Sequence, residues 1–263
     1  MLFPVLLIGY SGILFLSFAK IPIHADFASL VLEAQDMLHG NFFLSGWNLT
    51  GATFTFSELL FYAIGTAVFG VQIKAYIFAT TLMFLLMILL GFLLTRTEQE
   101  DHPWQRLLIF FAIAGFPGIY WSENLRAHTG IFVYAFATVL CLRQLSRARS
   151  RWLAAGYVLL IALGTMSDAF ILPAICLPVL LFGLFHLVSN RPDERLFNRR
   201  IFILTILGIV AGVLLLKAYL AIGGANENSL SGMASFSEVE DIPVRIGVYI
   251  SILLKMFGCD FSG

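Results

Sequence analysis

Residues 75–95 contain no charged side chain, and a helix of about 20 apolar residues is what a bilayer crossing needs. The same feature recurs along the chain at 2–19, 107–122, 152–167, 169–189 and 201–222, with a shorter run at 129–142 and a last one at 246–257 that Lys255 interrupts. A chain built this way is constrained to one solution. In hydrocarbon every backbone N–H and C=O must be satisfied within its own segment, so the spans are helices. The remainder of the composition agrees. Charged residues make up 12% of the 263-residue chain and apolar ones 59%, with a mean hydropathy of +0.90. A soluble domain carries about 25% charged residues, so too few are present to wet a water-exposed surface. The expected fold is an all-α polytopic membrane protein of about 7–8 transmembrane helices, forming a single membrane domain over 1–263. The N-terminal run lacks a basic flank and a small-residue cleavage site, so 2–19 reads as a retained anchor rather than a signal peptide.

Charge gives the spans a direction. Ten arginines fall in three short connections: Arg96 and Arg106; Arg143, Arg147, Arg149 and Arg151; Arg191, Arg195, Arg199 and Arg200. Two spans separate each neighbouring pair of connections, so all three lie on one side, and the excess of Lys and Arg makes that side cytoplasmic. The opposite side receives 117–128, 164–169 and 223–245, which hold Arg126 and Arg245 against Glu123, Asp168, Glu227, Glu238, Glu240 and Asp241. Residues 20–56 carry Lys20 as their one cation and match the acidic side. They therefore read as an external loop, with 57–70 as a juxtamembrane helix rather than a span and the N-terminus cytoplasmic. Within that loop 25–39 has helical apolar spacing, placing Phe27, Leu30, Val31, Ala34, Met37 and Leu38 on one face and Asp26, Ser29, Glu33 and Asp36 on the other. Such a helix lies on the membrane surface with its acids toward water, and Gly40 ends it. The net charge is zero, which gives no footprint for nucleic acid.

Ionisable groups at a membrane edge are costly and often functional. Asp26, Glu58, Glu123, Arg126, His128 and Asp168 all fall at the external edge in this topology. Each alone also fits an ordinary interfacial polar residue; it is their convergence on one face that suggests a site. Cys141, Cys176 and Cys259 are scattered and read as small buried hydrophobes.

The order of these features resembles the N-terminal half of the GT-C fold membrane glycosyltransferases, a superfamily that includes protein O-mannosyltransferases and lipid A aminoarabinose transferases. The matching residues are Asp26 with Ala28, Ala34, Gly40-Asn41-Phe42 and Trp47; Ala67-Val68-Phe69-Gly70; Pro117 to His128; and Ser167-Asp168, covering about residues 5–190. Family members are longer, with further spans and often a soluble C-terminal domain, so this chain is expected to be short relative to them.

The resemblance implies transfer of a sugar from a polyprenyl-phosphate donor to an acceptor at the external or periplasmic face, in a bacterial inner membrane. It implies that Asp26 is catalytic and that Glu123 is the second acidic position. Transfer needs a base for the acceptor hydroxyl and positive charge or a metal for the phosphate. Asp26 is the expected base. Glu123 and His128 would position the acceptor or a divalent metal such as Mg or Mn. Arg126 would neutralise the phosphate, with Asp168 and Glu58 as further substrate-binding groups. The expected partners are the lipid-linked sugar and membrane lipids. Two alternatives stay open: a permease for a lipid-linked substrate, which would favour midplane charges and duplicated halves, and a non-catalytic membrane subunit.

Overall fold

A computed structural model describes residues 25–49, 52–95, 128–148, 150–188, 192–223 and 226–227, with isolated positions elsewhere. The runs expected to span at 2–19, 107–122 and 246–257 lie outside the described residues. The chain is mostly helical, in the order α1 (Ala25–Leu38), β1 (Asn48–Leu49), α2 (Leu59–Phe69), α3 (Ile73–Leu94), α4 (Thr129–Arg147), α5 (Arg151–Ser167), a π-helical turn (Leu172–Cys176) running into α6 (Leu177–Val188), α7 (Pro192–Ala221) and β2 (Asn226–Glu227). Among the described residues three helices are long and apolar enough to cross a bilayer: Ile73–Leu94, Thr129–Arg147 and, within α7, Arg199–Ala221. The short apolar run at 129–142 thus extends to a 19-residue helix. Shorter apolar helices fill the other described runs.

Helix α5 starts where Ser150 caps it, its hydroxyl accepting from Leu153 N, the ordinary use of serine at a helix start. The π turn coincides with Pro173, which lacks the N–H that an α-helical bond to Ala169 would need; widening the turn is a known way to absorb that loss. Tight crossings set the packing of α5 on α7. Gly208 and Gly212 face Ile161, Ala162 and Thr165 so closely that an added Cβ would lie 2.8 Å and 2.6 Å from their nearest atoms. Small residues that let backbones approach are the usual membrane device. Tyr157 and Thr205 join the same pair by a hydroxyl–hydroxyl hydrogen bond of 2.8 Å.

Two ends of the bundle follow from these contacts. At one end Arg143 Nη1 donates to Leu94 O at 3.0 Å and Arg200 Nη2 to Ser150 O at 3.4 Å. At the other lie the start of α4, the end of α5 and the end of α7. The first loop belongs to this second end. Tyr219 donates to Phe43 O at 2.7 Å, Ser45 to Gly223 O at 2.5 Å, and β1 pairs in parallel with β2, Asn48 opposite Asn226.

Helix α2 is 11 residues long, about 16 Å at 1.5 Å per residue, well short of a span. It runs antiparallel to the first half of α3. The Tyr62 and Tyr76 rings meet at 6.0 Å, and a Cβ on Gly65 would lie 2.5 Å from Ala75 O. Gly70 turns the chain between them at φ 71, a region that favours glycine. Leu60, Ile64 and Val68 form an exposed apolar stripe on the outer face of α2.

Helix α1 packs against α2 and α3, burying Leu30, Val31, Ala34 and Met37. One expectation fails here. Glu33 was expected on the water face, yet it is 4% exposed while Leu32 and Leu38 are exposed. The reason is geometric: 30, 33, 34 and 37 are one helical stripe, and the packing selects that stripe with the carboxylate in it.

Candidate functional site

The segment 53–58 threads between the start of α4 and the end of α5, and backbone groups hold it there. Phe54 N donates to Ser167 O at 2.9 Å, Phe56 N to Ser167 Oγ at 2.9 Å, Thr53 Oγ1 to Met166 O at 3.1 Å, and Tyr134 to Phe56 O at 2.9 Å. Phe54 takes φ 49, a left-handed conformation that costs a bulky residue on the order of 1–3 kcal/mol and tends to occur at functional sites.

This threading brings three of the expected site residues together. His128 precedes α4, Asp168 follows α5, and Glu58 precedes α2. The imidazole Nδ1 of His128 lies 2.5 Å from Asp168 Oδ2, with the two side chains 32% and 4% exposed. The other carboxylate oxygen of Asp168 accepts from Phe170 N at 2.9 Å, a turn that aspartate forms with its own backbone two residues on. The imidazole is stacked on Phe170 at 5.2 Å and tilted against Phe54 at 5.6 Å.

Glu58 is fully buried. Its Oε1 accepts from Gly130 N at 3.0 Å, and Ser57 donates to its Oε2. It therefore satisfies orphan N–H groups at the start of α4. Burial holds its carboxyl well above the usual range. Asp168 pushes the same way, while Ser57 and the N–H groups of Gly130 and Ile131 pull it down. A Cβ on residue 130 would lie 2.3 Å from Ser57 O, so glycine there is what permits the approach. Buried and bonded to Gly130 N and Ser57, Glu58 braces this corner.

The level of the cluster within the bundle can be set from α3. Tyr62, one turn after Glu58, reaches Thr80 at 3.4 Å, seven residues beyond the start of α3 and about 10 Å along its axis. The His128–Asp168 pair is thus sunk below the rim formed by α1, α2 and the start of α3.

Asp26 lies in the first turn of α1, whose later residues pack on α2 and α3; its side chain, Glu123 and Arg126 lie outside the described residues. Among the described residues no group of three or more His, Cys, Asp or Glu could hold a metal ion. Sequence reasoning missed Phe54, Ser57 and Tyr134. Nothing in their residue types marks them, because their roles come from a backbone path. Trp47 donates Nε1–H to Asp36 Oδ2 at 2.9 Å. That bond first, then the one from Asn41, holds the Asp36 carboxyl below its ordinary range.

No protein-family model, no curated protein and no solved structure matches this chain.

Proposed function

We propose that the chain is a multi-pass GT-C-like membrane transferase that moves a sugar from a polyprenyl-phosphate donor to an acceptor hydroxyl at the external face of a bacterial inner membrane, with the N-terminus cytoplasmic and about 7–8 spans. One observation carries the reading: the first loop is stitched by hydrogen bonds to the end of the bundle that bears His128 and Asp168, away from the arginine-bearing end. In this reading the catalytic loop of the resemblance lies beside the His128–Asp168 pair. A permease is expected to show duplicated halves, and the sequence shows no internal repeat, which favours the transferase.

In this reading Asp26 and Glu123 are the catalytic carboxylates, and Arg126 opposes the charge that develops on the departing phosphate. The apolar stripe of Leu60, Ile64 and Val68 faces the hydrocarbon in which the donor's prenyl chain is dissolved. A divalent metal such as Mg or Mn would need Glu123 with groups outside the described residues. The test is the Asp26→Asn variant, with wild-type expression verified. The reading expects loss of transfer from a lipid-linked donor. Wild-type transfer in that variant would remove Asp26 from the chemistry.

A further inference from the structure

We propose that His128 is the base that takes the acceptor's proton and that Asp168 is its positioning residue. The inference rests on the transferase reading above and deepens it.

The geometry of the pair is that of an oriented imidazole. Asp168 is acceptor-only when ionised, so in a neutral ring the 2.5 Å contact at Nδ1 calls for the proton on Nδ1 and the lone pair on Nε2. No described residue takes Nε2. Both oxygens of Asp168 are engaged, one by His128 and one by Phe170 N, so the carboxylate cannot swing away. Phe54 and Phe170 hold the ring between them. The imidazole is also free of structural duty at the helix start. Glu58 supplies the carboxylate for Gly130 N, and the side chain of His128 makes no cap hydrogen bond. A histidine placed for packing alone would not need a buried acid behind it while itself staying 32% exposed.

The step balances without a co-reactant. The acceptor hydroxyl oxygen forms a bond to the anomeric carbon. The bond from that carbon to the phosphate oxygen breaks, and its electron pair leaves with the polyprenyl phosphate. The hydroxyl proton goes to Nε2 of His128, and the imidazolium so formed is stabilised by Asp168 until water removes the proton. An aspartate behind a histidine fixes its tautomer and stabilises its cation without itself becoming protonated. On this assignment the proton goes to His128 and not to the Asp26 carboxylate.

The experiment uses the full chain in proteoliposomes with farnesyl phosphate linked to radiolabelled mannose, glucose or aminoarabinose, with water as the acceptor hydroxyl, and reads release of the free radiolabelled sugar. H128Q is expected to lower kcat by about 10²–10³-fold, within the range of general-base contributions, with KM unchanged and the acidic limb of the pH profile gone. D168N is expected to lower kcat with KM unchanged and, in the ¹⁵N spectrum of His128, to move the ring proton from Nδ1 to Nε2. Wild-type kcat and an intact acidic limb in H128Q would overturn the proposal and leave the transferase standing. An Nε2-protonated ring in the wild-type spectrum would overturn it even if H128Q fails to fold. No release from any of the three donors by the wild type would sink the transferase reading and this one with it.

Discussion

Replacing Glu33 by Gln tests how the first loop is held down. Glu33 lies in the buried stripe of α1, 4% exposed. Ser29 supplies one hydrogen bond, and Oε2 has no partner among the described residues. Burial raises its carboxyl from 4.5 to about 7. The folded state therefore holds a proton that the unfolded chain has already released between those two values. The sign follows: this contribution is fully present below pH 4.5 and is lost as pH rises through about 7. A shift of this size corresponds to about 3 kcal/mol. Gln is neutral at every pH and nearly the same shape, so E33Q should not show the loss. Thermal unfolding in detergent at pH 5 and pH 8 reads the difference. The wild type should lose stability between the two conditions relative to E33Q, and E33Q should be the more stable protein at pH 8. Parallel pH dependence in the two proteins would mean that Glu33 reaches water in the folded state, and that the docking of α1 described above is wrong.

Two further substitutions probe the frame around the site. Gly130→Ala should destabilise by about 1–3 kcal/mol, because its Cβ would lie 2.3 Å from Ser57 O; an unchanged melting temperature would contradict the close approach of 53–58 to α4. Tyr157→Phe removes the hydroxyl bonded to Thr205 at 2.8 Å while Thr205 keeps its bond to Ile201 O at 2.9 Å. A loss of about 1 kcal/mol or less is expected for one such bond in a membrane helix pair, and thermal unfolding in the same detergent checks it.

What the sequence made legible was whatever depends on composition and period. The charge-free run at 75–95 lies almost wholly within α3, and Gly70 ends α2. The arginines of two connections meet at one end because antiparallel neighbours leave no other arrangement. The gathering of Glu58, His128 and Asp168 was readable only as a consequence of that alternation. Its chemistry was not. Nothing in the sequence near Glu58 signals its bond to Gly130 N, because the two residues lie 72 positions apart. Glu33 was placed toward water because its neighbours on the helical wheel are split between faces, and only packing against α2 and α3 decides between them. Phe54 carries no signal at all, since its part is played by a backbone torsion and a ring that meets a histidine 74 positions away along the chain.

The central claim is that the first loop and the His128–Asp168 pair share the external face. Ser45 is exposed on that loop and tied to Gly223 at the end of α7, and Ser146 is exposed at the arginine-bearing end. Single cysteines at these two positions, in a background where the native cysteines are replaced, can be labelled with a membrane-impermeant maleimide. The account predicts labelling of S45C from the external side of an intact inner membrane, and of S146C only after that membrane is opened. Labelling of S146C from outside with S45C protected would reverse the orientation and contradict an external site.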